Sequence, residues 1–268
     1  MFGSMPNDGG FLSDFSREER DNIVARYPTS AKMFKRFLGA TEFLHNKERY
    51  CLWLKDILPA EIKSVPPILE AVEKVKELRE NSNREATRKL AEYPTLFGEI
   101  RQPQGYYIII PRHSSQNRKY IPLGFVSSDV ICGDANFLIS DASLYEFGIL
   151  TSNVHMAWVR VIAGRIKSDY RYSANIVYNN FPWPTPTDAQ KAKIEQTAQA
   201  VLDARALYPD SSLADLYDEL TMPPELRKAH QNNDRAVMQA YGFDVKTMTE
   251  SSCVAELMKM YQKLVEKM

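Results

Sequence analysis

Two short stretches of this sequence concentrate the side chains that recognise nucleic acids. Residues 111–120, PRHSSQNRKY, bring Arg112, His113, Ser114, Ser115, Gln116, Asn117, Arg118 and Lys119 into one segment between two apolar runs. Guanidinium and ammonium groups bind phosphate oxygens and guanine edges, and carboxamides pair bidentately with adenine. The same composition suits a solvated hairpin loop without a partner, so residue types alone leave both readings open. The second stretch, 160–172, sets Arg160, Arg165, Lys167 and Arg171 against a single acid, Asp169. Gly164 is expected to end a preceding helix, which makes GRIKSDYRY an exposed basic loop carrying Ser168, Tyr170 and Tyr172. Charges that hold phosphates, mixed with rings that pack on sugars or bases, fit a nucleic-acid surface. The tyrosines fit a hydrophobic core equally well.

Other chemistry is missing. The sequence has no glycine-rich phosphate loop, no HExxH and no GxSxG. Its four histidines are far apart, and Cys51, Cys132 and Cys253 form no CxxC pair. No metal site, disulfide framework or catalytic centre is expected. NNFPWP (179–184) has the wrong order for a base-holding Asn-Pro-Pro-aromatic loop and is read as a strand exit. In VHMAWVRV, His155 and Trp158 are expected to be a hydrogen-bonded histidine beside a packing tryptophan.

Lys plus Arg and Asp plus Glu both number 34, so the formal net charge is zero. A nucleic-acid surface on such a chain must be a local patch, not a property of its overall field. No run is long and apolar enough to span a bilayer, and MFGSMPNDGGF lacks the basic-then-apolar order of a signal peptide. The expectation is a prokaryotic cytoplasmic protein without membrane contact.

The elements that must position these stretches follow from periodicity and punctuation. Residues 1–15 read as a connector. Ser16 and Glu19 form a capping box for a helix to about Arg26. Thr29 is expected to start a short helix closed by Gly39, and ERYCLWL alternates like a half-buried strand. From 66 to 93 the pattern is charged and amphipathic, with Pro67 suited to a first helical turn. GYYIIIP, KYIPLGFV, SDVIC and NFLIS read as strands. SLYEFGIL and VHMAWVRVIA read as helices, the second with Asn153 as its N-cap, and SANIVYNNFPWP returns to strand. After Thr187 the chain is helical throughout. The fold class expected is α+β, a mixed β-rich domain with inserted helices over 16–184, then an all-helical region over 185–268.

Several strings resemble one family. FGSMPNDGGFL, RFLGATEFLHNKERYCLWL, IPRHSSQNRKYIPLGF and GILTSNVHMAWVRVIAGRIKSDYRYSANIVYNNFPWP look like the MmeI-type adenine DNA methyltransferases and restriction-modification enzymes (types IIG and IIL). LYDELTMPPELRKAHQNNDRAVMQAYGF is similar to that family's C-terminal segment. The resemblance implies a target-recognition domain over 16–184 and a helical C-terminal region over 185–268, with 1–15 joining them to a methyltransferase domain of the same parent protein. It implies double-stranded DNA as partner and S-adenosylmethionine as the parent's cofactor. The target adenine would be flipped into the methyltransferase pocket, and in some members an endonuclease accompanies it. The cofactor and catalytic loops of that domain have no match here, so this chain is expected to hold no cofactor and to catalyse nothing alone. The resemblance turns both basic stretches, Ser168 and Asp169 included, into candidate DNA contacts. The alternative is a protein-interaction module whose charged helices dock onto a larger assembly.

Overall fold

The computed structural model describes residues 1–266 of the chain. Helix α1 (Arg17–Arg26) opens with the expected capping box, the Ser16 N–H donating to Glu19 Oε2 at 2.8 Å and the Glu19 N–H to Ser16 Oγ at 3.2 Å. The helix expected from Thr29 does not form. A 3-10 turn (Pro28–Met33) leads into strand β1 (Phe34–Leu38). Gly39 begins α2 (Ala40–His45) instead of ending a helix, its N–H donating to Glu42 Oε2 at 2.8 Å. Strand β2 (Tyr50–Leu52) follows, then α3 (Pro59–Lys63), α4 (Pro66–Glu80) and α5 (Glu85–Lys89). Prolines in the first turn of α4 remove donors that have no helical partner there. Ile68, Ala71, Val72, Val75 and Arg79 recur at helical spacing and are all buried.

Strands β3 (Tyr107–Pro111), β4 (His113–Ser114), β5 (Gly124–Val126), β6 (Val130–Cys132) and β7 (Asn136–Ser140) come next. Then come α6 (Leu144–Leu150), α7 (Asn153–Ile162), β8 (Gly164–Ile166) and β9 (Asp169–Arg171). Ser152, not Asn153, caps α7, accepting from the His155 N–H at 3.3 Å. Residues Ala174–Tyr178 form a π-helical turn where a strand was expected. Asn180 stabilises it by donating to the carbonyls of Asn175 and Ile176, both at 3.1 Å. Helices α8 (Asp188–Ala206), α9 (Leu213–Leu216), α10 (Pro224–Ala240) and α11 (Glu250–Val265) complete an α+β fold. No described helix is long and apolar enough to cross a membrane.

The chain forms two compact units and passes between them within β3, β5 and β7. Unit 1 comprises Met1–Tyr107 and Val126–Leu138. Its sheet has the order β2-β1-β6, with β1 antiparallel to β2 and parallel to β6. The partner strand β6 explains why 34–38 is extended: it satisfies backbone groups that a helix would satisfy locally. Residues 1–15, expected as a connector, are woven into this unit. The Gly3 and Ser4 N–H groups donate to the carbonyls of Asn136 and Cys132, Leu52 donates to the Leu12 carbonyl, and Leu12 is fully buried. The guanidinium of Arg79, also fully buried, donates to five carbonyls, those of Pro6, Asn7, Leu90, Tyr93 and Leu96, at 2.8–3.1 Å.

Unit 2 comprises Ile108–Phe125 and the chain from Ile139 onward. Here α8 packs against α6 and α10, and α11 against α7. Gly148 permits the close approach of α6 and α8, since a Cβ there would lie 2.7 Å from Ile194 Cγ2. This unit contains every candidate DNA contact.

Candidate nucleic-acid interface

The two polar stretches, remote in sequence, meet in one sheet of order β4-β9-β8. His113 pairs with Arg171 and Ser114 with Tyr170 across the antiparallel β4–β9 ladder. Gly164, Arg165 and Ile166 pair with Arg171, Tyr170 and Asp169 across β8–β9. The Tyr172 N–H donates to the Arg112 carbonyl at 2.8 Å. The Gln116 N–H reaches Asp169 Oδ1, 53 residues away in sequence, at 3.2 Å. The expected basic loop is therefore a β-hairpin with Lys167 and Ser168 at its tip. Lys167 has a φ of 54°, the left-handed region that asparagine and glycine enter more easily than lysine.

Directly opposed residues of an antiparallel pair share a face of the sheet. Tyr170, Ser114 and Arg165 lie on one face, and Tyr170 and Ser114 are buried there. His113, Arg171, Asp169 and Ile166 lie on the other, and all four are exposed. Arg165 is exposed yet engaged: its guanidinium sits 4.0 Å over the Tyr170 ring and donates to the carbonyls of Ser168 (2.9 Å) and Arg160 (3.4 Å). It stiffens the hairpin. Arg160 pairs with Glu250 of α11 at 2.7 Å.

In the 112–119 segment, Gln116, Asn117 and Lys119 are exposed, while Arg112, Ser115 and Arg118 are half-buried. The Asn117 N–H donates to Ser115 Oγ at 3.3 Å and the Arg118 N–H to the Ser115 carbonyl at 3.1 Å, which closes a tight turn. Burial lowers the pKa of Arg118, opposed by Asp169 and Asp218. Burial, then Arg112 and Arg171, lower that of His113 against the opposing pull of Asp169, so its imidazole is mainly neutral at pH 7. Tyr172 is buried, and its hydroxyl lies 3.0 Å from His155 Nε2. It supports the sheet from beneath and presents no ring to solvent. Lys119 is exposed but lies 5.8 Å over the Tyr120 ring, so among the described residues the exposed, uncommitted cations of the patch reduce to Lys167 and Arg171.

Unit 2 also holds a set of buried polar groups that periodicity only partly announces. His155 is packed edge-on against Phe181, and burial depresses its pKa to about 3. Trp158 donates to the Val177 carbonyl at 3.0 Å. On α10, Leu226, Ala229, His230, Asn233, Ala236 and Val237 recur at helical spacing as the buried face. That spacing marks His230 and Asn233 as inward, and Asp234 lies at its edge. Asp234 accepts from the Tyr120 hydroxyl (2.7 Å) and from the Asn153 N–H (2.8 Å). Burial raises its carboxyl to about 6, against the pull of those two donors. Among the described residues no group of three or more His, Cys, Asp or Glu could hold a metal ion. All three cysteines are buried and reduced, with burial raising their thiol pKa values.

Comparison with known proteins places this architecture. The family described as "MmeI, target recognition domain" matches residues 1–185, and "MmeI, C-terminal domain" matches 186–268. The chain belongs to the MmeI family. DNA methyltransferase A of Bacillus subtilis (strain 168) is 40% identical over 266 residues, covering 99% of this chain and 30% of that protein. A solved structure of the type IIL restriction-modification enzyme MmeI in complex with DNA superposes with a TM-score of 0.95 at 44% identity. It covers 99% of this chain and 35% of that one, so the chain spans about a third of the length of either relative. The join between the two MmeI regions falls in the proline-rich run FPWPTPT, just before α8.

Proposed function

We propose that this chain reads DNA sequence for an S-adenosylmethionine-dependent adenine-N6 methyltransferase of the restriction-modification type, with the methyl-transfer chemistry supplied by another domain of the same protein. The observation that carries this reading is the β4–β9 pairing, which merges two polar segments into one exposed platform. A two-stranded β-ribbon fits the major groove, where base pairs are distinguishable, and the β8–β9 hairpin is such a ribbon. Lys119, Lys167 and Arg171 hold phosphates or guanine edges. Gln116 and Asn117 suit adenine, and Asp169 suits the cytosine amino group. The target adenine leaves the stack for the catalytic domain, which also holds the cofactor. That MmeI itself was solved with DNA supports the same reading.

The test is the salt dependence of duplex binding. Each neutralised phosphate contributes about 0.9 to the slope of log affinity against log salt, so Lys167→Ala with Arg171→Ala should flatten it by about 1.8. Arg165→Ala should instead lower the melting temperature with little change in slope. An unchanged slope in the double variant would place the hairpin away from DNA. Calorimetry with S-adenosylmethionine should show no saturable micromolar binding to this chain, and such binding would overturn the division of labour.

A further inference from the structure

The segment that carries the exposed amides and Lys119 ends at Tyr120, and the helices of the C-terminal region grip it there at three points. The Tyr120 hydroxyl donates to Asp234 Oδ2 at 2.7 Å. Its ring stacks on His230, with centroids 4.1 Å apart and planes 21° from parallel. Three residues on, the Leu123 carbonyl accepts from Arg205 Nη1 of α8 at 2.7 Å. The other oxygen of Asp234 accepts from the backbone of Asn153, the first residue of α7, at 2.8 Å. Helix α7 runs through Ala163 straight into β8, and Arg165 of the hairpin reaches back to the Arg160 carbonyl of the same helix. One carboxylate, only 6% exposed, thus touches the roots of both reading segments without touching the reading surface.

We infer that Asp234 is a positioning residue for sequence recognition, fixing the 112–119 segment through Tyr120 and the hairpin through Asn153 at once. The inference rests on the DNA-reading role proposed above. Sequence discrimination needs donors and acceptors held to within a fraction of an ångström, so two segments on separate roots lose selectivity when they move independently. A carboxylate suits the task because its two oxygens accept from two directions, and a negative group is favoured at a helix N-terminus. The C-terminal region then sets the relative placement of the two readers in addition to packing beside them.

The experiment is a selection from a randomised duplex library, with sequencing of the bound fraction, beside amide hydrogen exchange of the free chain. Asp234→Ala should blunt the selected preference at least tenfold and speed exchange in both 113–120 and 153–156 by a similar factor. Asp234→Asn keeps an acceptor for the Asn153 N–H and a partner for the Tyr120 hydroxyl, and should restore most of the preference. Tyr120→Phe removes one arm only and should loosen 113–120 while leaving 153–156 unchanged. Val201→Ala, a cavity variant in α8 at a fully buried site, controls for lost stability and should leave the preference intact. If Asp234→Ala and Val201→Ala blunt preference alike at matched stability, or if Asp234→Ala leaves both readouts unchanged, the positioning role is overturned. A wild-type chain that selects no sequence refutes the DNA-reading role instead, while the exchange data still decide whether Asp234 ties the two segments.

Discussion

Unit 1 and unit 2 differ in the largest polar side chains that they bury, Arg79 in the first and a pair of histidines in the second. In unit 1 the buried cation Arg79 is saturated by five backbone carbonyls, and a guanidinium keeps its charge across the physiological range. In unit 2 three of the buried polar groups titrate: His155 under Tyr172, His230 against Tyr217 Oη at 2.7 Å, and Asp234 between Tyr120 and Asn153. The first arrangement ties distant loops, at 6–7 and 90–96, to one helix with no dependence on pH. The second places the support of the candidate DNA surface on groups whose charge depends on their surroundings. The stability of the unit that carries the reading segments should therefore respond to proton concentration.

The comparison breaks most visibly at Arg79. Arg79→Met leaves five carbonyls without their donor, and each unsatisfied buried group costs on the order of 1–3 kcal/mol. The total rivals the stability of a whole domain, ~5–15 kcal/mol. Loss of protected amides throughout unit 1 is the expected outcome, read by hydrogen exchange. A variant as protected as the wild type would show that the carbonyls find other donors.

Acid should act on unit 2. His155 has a folded pKa of about 3 against an ordinary 6.5, so its contribution is present above pH 6.5 and is lost as pH falls towards 3. At about 1.4 kcal/mol per unit, the loss is on the order of 4–5 kcal/mol, and His230 shifts in the same direction. Asp234 works the other way. Raised from 3.8 to about 6, it stabilises below 3.8 and loses that contribution as pH rises through 6, a swing of about 3 kcal/mol. Acidification therefore weakens unit 2 through its histidines while Asp234 partly compensates. Denaturant melts followed through Trp158 from pH 7 to pH 4 should show falling stability, and His155→Gln should flatten the slope. Superimposable profiles for the two proteins would remove His155 as the cause.

The smallest effect concerns the hairpin tip. Lys167→Asn places a residue tolerant of the left-handed region at φ 54°. It should stabilise unit 2 slightly while reducing the salt slope of DNA binding by about 0.9. A variant that is less stable with an unchanged slope would mean that the tip is unstrained and that its charge is idle.

What could be read from the sequence alone was whatever is decided within a few residues. The Ser16–Glu19 capping box, the prolines opening α4 and the four helices after Thr187 depend on local hydrogen bonds and 3.6-residue spacing, and they stand where those signals place them. The polar character of 112–119 and 160–172 was equally legible, because residue type is local. Elements whose hydrogen-bond partners lie far along the chain were not. Residues 34–38 are a strand because β6 pairs with them, and the Leu38 carbonyl accepts from Asn136, 98 positions away. The hairpin at 164–171 gains a third strand from β4, and the turn at 174–178 is tied by Asn180. Pairing register decided the rest. By facing Tyr170, Arg165 became a strut, whereas Arg171, one position further along the ladder, turned outward; Tyr172 went under the sheet to His155. A one-residue change of register exchanges the two faces of a sheet, and only packing against the helices beneath selects between them.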